Sequence, residues 1–326
     1  MIKDLTKTPE GKQHMEYSIL LAFSALLLFL IVISVAATQI RPVEQTKITV
    51  KEVRPNPFHD VEIEARAAYA VDLNTGEVYF EKNAESQLPL ASLTKLITAI
   101  TAIELIPDYT LVAIDRDSLK KEGDSGFQEN EKFTLLDLIR AMLVSSSNDG
   151  ASAIAGAVGA IERGKPLSSP EDSRQNESAF VEKMNSKTRA LGLKQTFILN
   201  STGLDTSEAT GGGYGSARDM SKLFSYILRN HPELIEPTRN EKIELSSTDK
   251  KSHIAKNTNT SIQKIPGLLG SKTGFTDLAG GNLVIAFDAG INKPIIISVL
   301  GSSESGRFED VNKLVWTTLA YLKSRD

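Results

Sequence analysis

Cysteine is absent from the 326 residues, which excludes a disulfide framework and any thiolate metal site. The four histidines, His14, His59, His231 and His253, fall in the N-terminal tail, a proline-bearing linker and polar loops, away from any nucleophile motif. A Ser-His-Asp hydrolase is therefore disfavoured. Basic residues are not in excess: 37 Lys and Arg against 41 Asp and Glu give a net charge of −4, without the electrostatic footprint of a nucleic-acid binder. A phosphate loop is excluded as well, because Ser271 stands between Gly270 and Lys272 and breaks the required G-K-[ST]. No internal repeat is found, and no metal or cofactor is expected.

Charge is also missing from Tyr17 to Ile40, a run long enough for the roughly 20 residues a bilayer span needs. Residues 17–40 read as an uncleaved transmembrane anchor. Cleavage is the alternative, since Val35-Ala36-Ala37 resembles a signal-peptidase site. Lys3, Lys7 and Lys12 before the span balance Arg41, Lys47 and Lys51 after it, so charge does not choose an orientation. Residues 41–64, with Pro42, Pro55 and Pro57, read as a stalk, and 65–326 as one folded domain.

A hairpin is expected where Ala67–Val71 and Glu77–Phe80 flank the turn signal Asp72-Leu73-Asn74-Thr75-Gly76. The run Leu96–Ile103 is apolar or methyl-bearing on nearly every side, the pattern of a buried helix that stops before Pro107. Apolar spacing predicts further helices over 134–144, 149–159, 179–191, 217–229 and 309–322, and strands over 283–287 and 295–300. Glu162–Glu177 is expected as an exposed loop and Ser207–Gly215 as a mobile one. Strands at both ends with helices between them imply an α/β fold with one sheet built from both termini.

Three short motifs stand out in order: Ser92-Leu93-Thr94-Lys95, then Ser146-Ser147-Asn148, then Lys272-Thr273-Gly274. Alone, S-x-x-K means little, because the same spacing recurs at Ser118/Lys121, Ser247/Lys250 and Ser261/Lys264, and a helix-capping serine would satisfy it. Only Ser92 opens a long apolar helix. A serine in a first helical turn lies near unpartnered backbone amides, and a lysine three residues on shares its face.

The ordered triple set is the signature of class A β-lactamases and penicillin-binding proteins. From about Ala65 onward the chain resembles the D-alanyl-D-alanine carboxypeptidase family of low-molecular-mass penicillin-binding proteins. Leu191-Gly192-Leu193-Lys194, Gly203-Leu204-Asp205, Ser216-Ala217-Arg218-Asp219-Met220 and Lys272–Asp277 extend the resemblance. It implies a serine β-lactamase/D,D-peptidase-like fold, an antiparallel sheet flanked by helices with an inserted helical subdomain. Two departures are visible: the Glu162–Glu177 segment resembles an insertion, and the C-terminal β-domain with amphipathic tail of many relatives is not expected here.

The resemblance implies a serine D,D-carboxypeptidase acting on peptidoglycan stem peptides and acylated by β-lactams. Ser92 would be the nucleophile, Lys95 its base and Ser146 a proton relay. Asn148 would bind the peptide, the amides of Ser92 and Phe275 would hold the oxyanion, and Lys272, Thr273, Gly274 and Arg307 would line the substrate carboxylate site. The deacylating glutamate of class A β-lactamases has no E-x-x-L-N counterpart here. The expected location is the cell membrane, single-pass, with residues 1–16 cytoplasmic and the catalytic domain outside. Endopeptidase cleavage of crosslinks, or a non-catalytic penicillin-sensing role, are the alternatives.

Overall fold

The computed structural model describes residues 9–39, 57–165 and 173–325, and the chain divides into two units, 1–54 and 55–326. In the first, α1 (Pro9–Gln39) starts well upstream of the apolar run, with proline at its first position, where a missing amide proton costs nothing. Its stretch Met15–Ser34 has a mean hydropathy of 2.6 and is long and apolar enough to cross a membrane, a test that signal sequences also pass. The expected stalk lies largely outside the described residues, but its end is packed: Phe58 and Ile63 are buried in the second unit.

The second unit is built on the expected hairpin, β1 (Ala67–Asp72) and β2 (Val78–Lys82). Asp72 Oδ1 closes the turn by accepting from the amides of Asn74 and Thr75, and Gly76 supplies φ +73°. Two-residue β3 (Leu88–Pro89) leads into α2 (Thr94–Leu105), whose residues 94–102 are all buried, and the helix ends at Ile106, extended ahead of Pro107. Then follow the small pair β4 (Leu111–Ala113) and β5 (Lys132–Thr134), and the helices α3 (Leu135–Ser145), α4 (Asn148–Glu162) and α5 (Ser173–Ala190). Next come β6 (Phe197–Ile198), β7 (Gly213–Gly215), α6 (Ala217–Asn230) and the single turn α7 (Pro232–Ile235). A second hairpin, β8 (Lys242–Ser246) and β9 (Ser252–Lys256), precedes the long strands β10 (Leu268–Thr276), β11 (Gly280–Asp288) and β12 (Pro294–Ser302), and α8 (Gly306–Lys323) ends the chain.

The five-stranded sheet has the order β10-β11-β12-β1-β2, all antiparallel, with Ala67 opposite Leu300. It is made from both ends of the domain, as expected. Strand alternation divides its side chains: Ile295, Ile297 and Val299 pack with Val311, Leu314 and Val315 of α8, while Ile296 and Leu300 join the core of α2 and α6. Both faces are covered, so β12 reads as a continuous apolar run. Asp310 fastens α8 to the start of β1, accepting from the amides of Glu64 and Ala65 and from Ser302 Oγ.

Two loop expectations need correction. Helices α4 and α5 cover Glu162 and Ser173–Glu177, and Asn176 is buried, so Glu162–Glu177 is not a loop throughout; residues 166–172 of it lie outside the described residues. Nor is Ser207–Gly215 simply mobile: Gly213–Gly215 is the middle strand of a three-stranded sheet, and the glycines are there for space. A Cβ on Gly212 would lie 2.3 Å from the Leu204 carbonyl oxygen, and one on Gly213 would lie 2.8 Å from Thr94 Oγ1. Gly212→Ala is therefore expected to lower the unfolding free energy by about 2–3 kcal/mol, read from urea denaturation; a mobile loop would show no change.

Candidate active site

The path into α2 is unusual. Ala91 sits at φ +48°, a left-handed conformation that costs a non-glycine residue about 1–2 kcal/mol, and Ala91–Leu93 form a tight 3₁₀ turn ahead of the α-helix. The strain is held by neighbours: the Leu90 amide donates to the Gly213 carbonyl and Asn282 Nδ2 to the Pro89 carbonyl. Ser92 is left as the one half-exposed residue among buried Leu90, Ala91 and Leu93. It caps nothing. No side-chain cap closes this turn or α2, and Ser92 Oγ lies 2.9 Å from Lys95 Nζ.

Lys95 is fully buried on the first turn of α2. Its Nζ has two further contacts, Asn148 Oδ1 at 2.6 Å and the Thr202 carbonyl oxygen at 2.7 Å. Both can only accept, provided Asn148 is oriented as its other bond requires: Nδ2 donates to the Glu122 carbonyl. A neutral amine thus spends its two protons on Asn148 and Thr202 and turns its lone pair to the Ser92 hydroxyl. Burial favours that form, pushing the Lys95 pKa down to about 7.

Thr202 arrives through a tied loop. Asn200 Oδ1 accepts from the amides of Thr202 and Gly203, and Asn200 Nδ2 donates to the Leu204 carbonyl. Gly203 is required at φ +82°, since a Cβ there would lie 1.9 Å from the Ala91 carbonyl oxygen.

Three adjacent residues divide the second motif between them. Ser146 ends α3 in a left-handed conformation, φ 61°, with Oγ 2.9 Å from Lys272 Nζ. Ser147 caps α4, its Oγ accepting from the Gly150 amide, and Asn148 begins that helix facing Lys95.

The third motif lies on β10, at the sheet edge. Gly274 is a close-approach position: a Cβ would stand 2.9 Å from the Leu90 carbonyl oxygen and 3.2 Å from the Ser92 nitrogen. The strand and the nucleophile's backbone therefore nearly touch, with exposed Phe275 next in line. Buried Lys272 also donates to the Thr273 carbonyl, and Thr273 Oγ1 lies 2.5 Å from Thr258 Oγ1. Arg307, expected after the last strand, occupies the first turn of α8, buried, with Nη1 donating to the Gly274 carbonyl.

Lys272 is held well below the ordinary lysine range by burial first, then by Lys95 and Arg307. Burial also lowers Arg307 from its usual value. Among the described residues no ion pair neutralises any of the three. The cleft thus combines a nucleophile, a base and a surplus of positive charge.

All nine expected site residues come together. Missed were Thr202, Asn200, Asn282 and Thr258, which act through a carbonyl or through contacts distant in sequence. Gly203, after the polar run Asn200-Ser201-Thr202, was the one local signal of a tight turn near them.

Acylation of Ser92 should rise with pH through about 7, because protonation of Lys95 removes the lone pair, and should fall about tenfold per unit below that. Lys95→Met, which buries no charge, should fold with an unchanged or higher melting temperature yet acylate about 10²–10⁴-fold more slowly. A parent-like acylation rate would place the base elsewhere.

A description of the D-alanyl-D-alanine carboxypeptidases matches residues 50–304. The D-alanyl-D-alanine carboxypeptidase DacF of Bacillus subtilis is 30% identical over 258 residues, 77% of this chain and 61% of that protein. The D-alanyl-D-alanine endopeptidase of Pseudomonas aeruginosa is 28% identical over 229 residues, 69% and 67% of the two chains. Penicillin-binding protein D2 from Listeria monocytogenes, solved in an ampicillin-bound form, aligns with a TM-score of 0.64 at 26% identity, covering 79% of this chain and 98% of that one. The chain spans only 61% and 63% of the length of the first two curated carboxypeptidases it matches. With most of the folded unit inside the matched region and each of the three motifs assembled in one cleft, the chain belongs to the D-alanyl-D-alanine carboxypeptidase family.

Proposed function

We propose that this protein is a penicillin-sensitive serine D,D-carboxypeptidase that removes the terminal D-alanine from peptidoglycan stem peptides. The observation that carries the reading is Lys95 Nζ 2.9 Å from Ser92 Oγ, with its other positions held by Asn148 and Thr202. Lys95 takes the Ser92 proton as Oγ attacks the penultimate carbonyl. The oxyanion is stabilised by the Ser92 and Phe275 amides and by the surrounding cations. Ser146, held by a hydrogen bond from Lys272, relays the proton taken by Lys95 to the departing D-alanine nitrogen as the peptide bond breaks, which returns Lys95 to its neutral form. Water then cleaves the acyl-serine. Lys272 and Arg307, neither ion-paired among the described residues, suit with the Thr273 hydroxyl a substrate ending in a free carboxylate.

Endopeptidase action on D,D-crosslinks is the second reading, favoured by the relative of that name in Pseudomonas aeruginosa. Release of free D-alanine from pentapeptides supports the first reading; resolution of crosslinked dimers without it supports the second. In this reading 17–40 anchors the protein, 1–16 stays cytoplasmic, 41–64 is the stalk and 65–326 works outside the membrane.

Labelled penicillin should attach to Ser92 in about one equivalent and outlast many peptide turnovers, because the tethered leaving amine shields the ester and no E-x-x-L-N pattern follows Ser146-Ser147-Asn148. Ser92→Ala should abolish labelling; rapid multiple-turnover hydrolysis of penicillin would mark a β-lactamase instead. Because the chain divides near residue 55, a protein starting there should be soluble and fully active, and loss of activity with the fold intact would give the N-terminal helix a role beyond anchoring.

A further inference from the structure

Between β9 and β10 the chain passes through Asn257-Thr258-Asn259, and each of these residues bonds to a different wall. Asn257 Nδ2 donates to the carbonyls of Thr238 and Asn240, and its Oδ1 accepts from the Asn259 amide. Buried Asn259 donates from Nδ2 to Ser271 Oγ, the residue before Lys272. Thr258 stands between them. Its amide donates to the Val144 carbonyl, two residues before Ser146, and its hydroxyl lies 2.5 Å from Thr273 Oγ1. Thr258 therefore ties the end of α3, which carries Ser146, to the strand that carries Lys272.

The Thr258–Thr273 contact has a direction that the substrate settles. A hydroxyl has one proton to give, whereas a carboxylate can only accept. If Thr273 gives its proton to a substrate carboxylate, the bond between the two threonines can persist only with Thr258 as donor. The Thr273 hydroxyl has no other hydrogen-bond partner among the described residues, and the side chain is buried, so Thr258 is the neighbour that sets where that proton points. We infer that Thr258 is a positioning residue for substrate recognition, whose hydroxyl donates to Thr273 Oγ1 and turns the Thr273 proton toward the terminal carboxylate of the substrate. This rests on the carboxylate site proposed above. Chained hydroxyl donors polarise one another, so the Thr273 bond is strengthened as well as aimed.

Thr258→Val keeps the shape and removes the donor; Thr258→Ser restores it. Peptides ending in D-Ala-D-Ala are compared with their C-terminal amides, and acylation by penicillin with acylation by its methyl ester. Thr258→Val should raise KM for the free acid roughly 3–10-fold with kcat within about twofold, and slow acylation by penicillin to a similar degree. The amide and the ester should be unaffected, Thr258→Ser should behave as the parent, and Thr258→Val should add nothing in a Thr273→Val background. Parent-like behaviour of Thr258→Val, equal losses on acid and neutral forms, or an undiminished further loss in the Thr273→Val background would each overturn the inference. A parent that is acylated by penicillin but releases no D-alanine sinks the carboxypeptidase reading alone, because the acid-against-ester comparison still reads Thr258. A parent that penicillin does not acylate overturns both.

Discussion

A lysine nitrogen out of contact with water is the constraint on which the rest of the domain depends. Burying an unpaired ammonium is costly, and among the described residues Lys95 has no carboxylate to balance it. The protein offers it oxygens instead, one from each of three segments: Ser92 on its own helix turn, Asn148 at the start of α4 and the Thr202 carbonyl from the loop before β7. Each segment must be held to within a few tenths of an ångström. That demand accounts for the left-handed Ala91, the Asn200 clamp, Gly203 against Ala91, and the Glu122 carbonyl that fixes the Asn148 amide.

The fold meets the demand by setting the site where the sheet meets the inserted helices. Strand β10 brings Lys272, Thr273 and Gly274 to the sheet edge, and Gly274 lacks the Cβ that would collide with the Leu90 carbonyl. From the helical side α3 and α4 deliver Ser146 and Asn148. Rigid elements, rather than long loops, carry most of the chemistry, which favours preorganised electrostatics over induced fit. Lys272 and Arg307, both buried and without an ion-pair partner among the described residues, are costly to hold side by side, and each weakens the other's charge. Stability is given up locally and recovered in a core that covers both faces of the sheet.

Much of this was legible beforehand. The period-2 and period-3.6 patterns gave the hairpin, the buried helix and the terminal strands, and the ordered motifs with the family resemblance named the nine residues that the fold brings into one cleft. Where the reading failed, local composition misled. Three consecutive glycines resemble a flexible loop, but Gly212 and Gly213 serve close packing against Leu204 and Thr94. The polar stretch ending at Glu177 resembled a loop through its lack of apolar periodicity, but its end, Ser173–Glu177, winds into α5, where Asn176 is buried against Gly159 of α4.

By itself the sequence determined which groups could react, because side-chain chemistry, the order of the three motifs and the lack of cysteine or a suitably placed histidine are properties of the chain. It determined β1, β2, β11 and β12 of the sheet too, since hydrophobic periodicity is local, but not the edge strand β10. Only the tertiary structure decided what those groups do. The basicity of Lys95 follows from complete burial, the aim of its lone pair from two oxygens 53 and 107 residues away, and the service of Thr258 to Thr273 from a turn that returns the chain to β10. Desolvation and hydrogen-bond direction depend on what surrounds an atom, and those surroundings exist only once distant segments have packed together.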